Sequence, residues 1–137
     1  MTVMASRVRA HVHAAQIAGS VSPTDRTTLW DLEGRFWTGG ADFARSKTAR
    51  NAIMILPYPP GILQGDHIWS HLPQRTGWRS VKMRERRVMR YGDIAILTYG
   101  VSAEKSDLPL HKALCASTYV NSDGDWLRIC HQETPLA

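Results

Sequence analysis

The stretch Leu110–Glu133, LHKALCASTYVNSDGDWLRICHQE, decides the fold. Asp123-Gly124 at its centre divides two runs rich in apolar, β-branched and aromatic residues, Leu110–Val120 and Trp126–Glu133. Asp-Gly between two such runs is strong hairpin chemistry, because both turn positions tolerate a positive φ. Working backwards, Ser106-Asp107 and Gly92-Asp93 set off two further strand-like segments, Ile94–Ala103 and Trp78–Tyr91. Links this short make neighbouring strands antiparallel. The second half is therefore predicted to be a four-strand meander.

The first half reads differently. Ser22-Pro23-Thr24-Asp25 supplies a capping hydroxyl, a first-turn proline and an early acid, which together start a helix. Leu29, Leu32, Phe36 and Trp30, Glu33, Trp37 then recur at spacings of three and four, one stripe of an amphipathic helix. Gly39-Gly40 ends it. Ala41 to about Arg50 is a second, shorter helical stretch. Asn51–Leu56 is a compact apolar run, predicted as a buried strand, and Pro57, Pro59, Pro60 and Gly61 stop it. Asp66 then starts a short helix through Leu72, with Pro73 beyond. Helices ahead of a curved antiparallel sheet give an α+β fold: a cone-shaped barrel with N-terminal helices packed on the sheet.

The 137 residues suit one domain, assigned to 22–137 behind a flexible arm, 1–21. His11, His13 and Gln16 interrupt the arm where a secretory signal needs an apolar core. No run of eighteen apolar residues exists, so no membrane span is expected. The net charge of +5 belongs to one segment, Arg79–Arg90, where six basic residues meet the single acid Glu85. No aromatic interleaving accompanies them, so nucleic acid is not expected as a partner. These side chains are predicted on the outer sheet face or a dimer rim. A β-bulge near Glu85–Arg87 is expected, because Val88 and Arg87 are out of phase with their neighbours.

The hairpin fixes a provisional register. A two-residue turn pairs Ser122 with Asp125 and sets Ala116 opposite His131. Leu114, Ala116, Thr118 and Val120 then share a face with Leu127, Ile129, His131 and Glu133. This more aliphatic set is expected to face the helices, with His131 and Glu133 near a pocket. Cys115 and Cys130 become diagonal neighbours ~7 Å apart, long for a disulfide, so reduced thiols and a cytoplasmic location are expected.

Several segments together resemble a known group. They are Glu33 with Phe36-Trp37, the turn Pro60–Gly65, and Arg87–Asp93 followed by Ala95–Tyr99. Ser117–Val120, Asp123–Trp126 and His131–Pro135 complete the set. The chain resembles the nuclear-transport-factor-2-like superfamily, in particular the branch filed as domain of unknown function 4440, beside SnoaL-like polyketide cyclases and ketosteroid isomerases. The resemblance implies a cystatin-like conical α+β barrel, frequent homodimers, and a pocket between helices and concave sheet. It implies no single function, since the fold hosts enzymes, binding proteins and association modules.

The chemistry candidates follow. Glu33 and His131 are the candidate catalytic groups. An acid among aromatic side chains has a raised pKa and can move protons, whereas the plainer reading of Glu33 is a surface or interface carboxylate paired with an arginine. His131 is either a general base or a structural ring bonded to a neighbouring strand. The candidate ligand pocket comprises Trp37, Tyr58, Trp69, Tyr99, Tyr119, His131 and Glu133. His67 and His71 stand one helical turn apart, yet no third metal ligand lies near, so neither metal nor cofactor is expected. The leading functional expectation is a small apolar or aromatic ligand held in the cone. A proton-transferring isomerase or cyclase is the second, and a homodimeric association module without ligand the third.

Overall fold

A computed structural model of the chain describes residues 20–71 and 77–136. Most of the predicted arm, together with Leu72 and Pro73, lies outside the described residues. Helix α1 spans Pro23–Thr38. Ser22 caps it, its Oγ accepting from the Asp25 N–H at 3.1 Å. Helix α2, Ala41–Ser46, is shorter than the sequence suggested. Strand β1, Thr48–Ile55, therefore begins three residues before the predicted start. The proline-rich turn returns into a short strand β2, Ile62–Gln64, which the proline and glycine content concealed. Helix α3 covers Asp66–His71. The predicted meander follows as β3, Ser80–Tyr91; β4, Ile94–Glu104; β5, His111–Ser122; and β6, Asp125–Pro135.

These strands form one six-stranded sheet in the order β2-β1-β6-β5-β4-β3. Only β1 and β6 run parallel. The remaining neighbours are antiparallel. The α+β fold expected from the sequence, helices packed on a curved and mainly antiparallel sheet, is present. The apolar stripe of α1 is buried as predicted: Leu29, Trp30, Leu32, Phe36 and Trp37 all join the core, and Glu33 is buried with them.

Two bulges set which side chains face the helices. In β3 the register shifts between Arg84 and Arg87, where Glu85 takes φ 53°, so the predicted bulge is present. In β6, Tyr119 pairs with Arg128 but Thr118 pairs with Cys130, leaving Ile129 as an extra residue. That second bulge overturns the provisional register. Ser122 does pair with Asp125, but His131 lies opposite Ser117 rather than Ala116. Ala113, Cys115, Ser117 and Tyr119 are the buried residues of β5, while Leu114 is exposed and Ala116, Thr118 and Val120 are half-buried. The face assigned to β5 from its aliphatic content is thus reversed, because the buried side is largely polar. Cys115 pairs with Glu133 and Cys130 with Thr118, so the cysteines are not diagonal neighbours, and both are free.

Candidate functional site

Three adjacent cross-strand rows build the site on the buried face of the sheet. Ala95, Tyr119 and Arg128 form one row; Leu97, Ser117, His131 and Met54 the next; Tyr99, Cys115 and Glu133 the third. Strict alternation would send Arg128 and His131, three residues apart, to opposite faces. The extra Ile129 brings both inward.

Glu33 enters from α1 into the middle of these rows. Its Oε2 accepts from the Arg128 Nη2–H at 2.8 Å, from the Ser117 hydroxyl at 2.6 Å and from the Tyr99 hydroxyl. Its Oε1 accepts from the Tyr119 hydroxyl. The Tyr99 oxygen in turn accepts from the Trp37 indole N–H at 2.9 Å. Burial pushes the Glu33 carboxyl up, but Arg128, His131, Ser117 and Tyr119 together outweigh it and hold it below the ordinary range. This reverses the raised value expected of an acid among aromatic residues. It pairs with an arginine, as the plainer reading had it, but inside the core rather than at the surface. Burial and the Glu33 charge hold the Tyr99 and Tyr119 hydroxyls well above their usual value, so both stay protonated donors.

His131 is also enclosed. Its Nδ1 lies 2.7 Å from Ser117 Oγ and 3.7 Å from Glu33, and its Nε2 lies 3.0 Å from Glu133 Oε2. The other oxygen of Glu133 meets His111 Nε2 at 2.9 Å. Burial raises the Glu133 carboxyl, yet the hydrogen bonds and charges of His111 and His131 prevail, and it is held far below the ordinary range. The His111 ring stacks on Trp78 at 5.5 Å and leans against Trp37 at 5.8 Å.

Beside this polar cluster lies a narrow, open-mouthed recess whose enclosed space is about 30 Å³. Phe36, Trp37, Met54, Leu56, Ile68 and Trp69 supply its apolar wall, and Arg128, Cys130, His131 and Glu133 its polar side. The Arg128 guanidinium lies 3.8 Å over the Phe36 ring, an arrangement that a flat cation favours. Of the sequence-nominated pocket residues, Trp37, Trp69, His131 and Glu133 lie along this recess. Tyr99 and Tyr119 point to Glu33, and Tyr58 packs against the core from the proline turn without joining the lining. Sequence reasoning missed Arg128, Ser117 and His111. Alternation from the hairpin does place Arg128 on the face of Cys115, Ser117 and Tyr119, but the opposite, more aliphatic face was the one expected to meet the helices.

The basic strand stays outside the recess. Lys82, Arg84 and Arg87 are exposed, with the Arg84 guanidinium close over Gly100 on the outer face. Arg86 and Arg90 instead reach back towards α1: Arg86 lies over the Trp30 ring, and Arg90 bonds Asp25 at 2.8 Å. Among the described residues no three His, Cys, Asp or Glu side chains converge as metal ligands, and no helix is long and apolar enough to cross a membrane.

No family model matches the chain, and no curated protein matches it. Solved structures do. A candidate ketosteroid isomerase from Parabacteroides distasonis is 18% identical, with a TM-score of 0.69 over 84% of this chain and 89% of its own. A protein of unknown function with a cystatin-like fold from Nostoc punctiforme is 15% identical, with a TM-score of 0.69 over 85% of this chain and 95% of its own. A nuclear-transport-factor-2-like protein of unknown function from Pseudomonas putida is 13% identical, again with a TM-score of 0.69, over 84% of this chain and 89% of its own. At these identities the likeness concerns the fold, and the chain has the nuclear-transport-factor-2-like, cystatin-like α+β fold.

Proposed function

We propose that this protein binds a small, largely apolar or aromatic molecule in the recess between α1, α3 and the sheet. One observation carries the reading: an aromatic and aliphatic wall faces a polar edge, His131 and Glu133, across an open recess. The apolar wall supplies affinity by area, and the polar edge orients the ligand. Mass spectrometry of small molecules released from the purified protein, with a thermal-shift screen of apolar and aromatic compounds, tests it. A bound compound that raises the melting temperature supports the reading, and a screen without any shift counts against it.

A second reading is proton-transfer chemistry of the isomerase or cyclase kind, favoured by the position of His131 on the recess wall between a carboxylate and a serine. In that reading His131 carries the proton. Glu33, whose oxygens already accept four donors, is a positioning residue. Isomerase activity on a cyclic enone panel, lost in His131→Gln, is the test. Within the wider fold, the sequence resemblance favours the branch named domain of unknown function 4440.

Self-association is proposed on the outer sheet face. The row Tyr91, Ile94, Val120 and Leu127 and the neighbouring Met89 and Ile96 lie away from the core, a mostly apolar patch suited to a second copy. The free thiols of Cys115 and Cys130 fit a reducing, cytoplasmic setting.

A further inference from the structure

The outer face of the sheet, opposite the recess, is divided by charge. One end is the apolar patch around Met89, Ile94 and Val120. At the other end each cross-strand row begins on a cation of β3. Lys82 is followed by Ser102 and Lys112; Arg84 by Gly100, Leu114 and Thr134; Arg87 by Thr98, Ala116 and Gln132.

Strict alternation would put Arg84 and Arg87, three residues apart, on opposite faces. The bulge at Glu85 brings both to the outer face, opposite Gly100 and Thr98, which are about 7 Å apart along β4. Among the described residues the arginine–carboxylate pairs are Arg79–Glu104, Arg90–Asp25 and Arg128–Glu33. Neither Arg84 nor Arg87 has such a partner there, and both are exposed. Gly100 matters to this arrangement. A Cβ on it would come within 2.9 Å of the Arg84 guanidinium carbon, so only a bare backbone lets that group lie down on β4.

Over the same rows the surface sinks into an open trough of about 320 Å³. Arg87 and Gly100 bound it on the side of β3, Leu114 and Ala116 form its middle, and Gln132 and Thr134 its far side.

We propose that this trough is a second binding site, for a small organic molecule that carries a carboxylate or phosphate at one end of a compact apolar body.

The chemistry changes in order across the strands. At β3 two guanidiniums offer planar sets of N–H donors to an oxyanion. At β5, two strands or about 10 Å further on, Leu114 is 48% exposed and lies beside Ala116, an apolar seat for the body. At β6 the Gln132 amide and Thr134 hydroxyl are free to meet a polar far end. A trough of this volume suits a small molecule. Glu85 is the one acid on its lining, and its place in the bulge opposes an anion from one side.

Titration of the full chain in low salt with phenyl phosphate, benzoate and inorganic phosphate, followed by proton–nitrogen NMR, tests this. Saturable shifts are expected at Thr98, Gly100, Leu114, Ala116, Gln132 and Thr134, with a Kd of about 1 mM or below for the tighter aromatic anion. That anion should bind at least about fivefold more tightly than inorganic phosphate, because only it uses the apolar seat. Whether it is phenyl phosphate or benzoate identifies the head group. Arg84→Gln and Arg87→Gln should each weaken binding about fivefold, the scale of an exposed ion pair, with the melting temperature near that of the parent. Gly100→Ala removes no charge but displaces the Arg84 guanidinium, and should weaken binding as much as Arg84→Gln. Glu85→Gln should tighten it. Lys82→Gln removes a cation that does not line the trough, and should change affinity less than about twofold.

Equal affinity for phenyl phosphate, benzoate and inorganic phosphate, or equal losses in Lys82→Gln and Arg84→Gln, would reduce the face to diffuse positive charge and overturn the proposal. Tighter binding of a poly-glutamate peptide than of either aromatic anion would overturn it too, by making the face a peptide dock. The recess lies on the opposite face, so neither result bears on the ligand proposed there.

Discussion

The Glu33 carboxylate of α1 and the Arg128 guanidinium of β6 meet at 2.8 Å with both side chains enclosed. This pair ties the first helix to the last strand across the core. It is also the reason the recess has a polar side. Arg128 faces inward in register with Tyr119, ahead of the bulge at Ile129 that turns His131 to the same side, and the Glu33 charge keeps its guanidinium fully protonated despite burial. Three hydroxyls complete the shell of the Glu33 carboxylate, whereas the buried Arg128 Nε has no hydrogen-bond partner.

Breaking that pair from one side should be costly. Glu33→Gln presents an amide N–H₂ to a ring of donors and strands Arg128. A loss of about 3–5 kcal/mol is expected by urea unfolding. Replacing both partners, Glu33→Leu with Arg128→Met, should cost less than Glu33→Leu alone. Equal or greater loss in the double variant would contradict the account of Arg128 as an otherwise uncompensated buried charge.

Acid should unfold the protein through these same carboxyls. Glu33 and Glu133 are both held below the ordinary carboxylate range in the folded state. The unfolded chain therefore binds more protons in acid. Their stabilisation is complete above about pH 4.3 and declines as the pH falls below it. Unfolding midpoints measured from about pH 7 down to about pH 3 should drop steadily at the acid end. Glu133→Gln should flatten part of that decline, and an identical slope in the variant would exclude Glu133 as a contributor.

Ligand affinity should depend on Trp69. This side chain is half-buried on the recess wall and only leans on the core, so Trp69→Ala removes contact area with little damage to the fold. At least a tenfold loss of affinity, about 1.4 kcal/mol, is expected for any compound found in the screen, with the unliganded melting temperature nearly unchanged. Calorimetric titration reads it directly.

A charge on the outer sheet face should separate the proposed dimer. Met89 is 55% exposed, and Tyr91 beside it on the same face is 43% exposed. Met89→Glu should shift the protein from dimer to monomer in sedimentation velocity without altering its circular dichroism. A parent protein that is monomeric at all concentrations would dismiss this surface as an interface.

The two thiols should differ sharply. Cys115 is buried, and burial with nearby carboxylates pushes its thiol up, whereas Cys130 is only partly covered. A thiol reagent at neutral pH should modify one cysteine in the folded protein and the second only on unfolding. Fast modification of both would contradict the packing of β5.

The sequence by itself determined most of the elements and their order. The stripe Leu29, Leu32, Phe36 could only be an amphipathic helix, and the turns at Gly92-Asp93, Ser106-Asp107 and Asp123-Gly124 could only join antiparallel neighbours. Even the bulge of β3 was visible, because Arg87 and Val88 break the alternation of charge. Strand β2 was hidden, since its short pairing with β1 overrides a turn composition rich in proline. The site was legible only in parts. His131 and Glu133 were nominated, but Arg128, Ser117 and His111 were not. Alternation gives a strand two faces and says nothing of which is buried, and the rule that aliphatic faces turn inward failed on β5. There Ser117 and Tyr119 are inside because Glu33 accepts from their hydroxyls, and Cys115 is buried on the same face. Ile129 looks like any other strand residue, yet the phase of β6 changes at it. Only the tertiary structure could decide that phase. A bulge is stabilised by what it aims at, and here it turns His131 towards a carboxylate almost a hundred positions away in the chain.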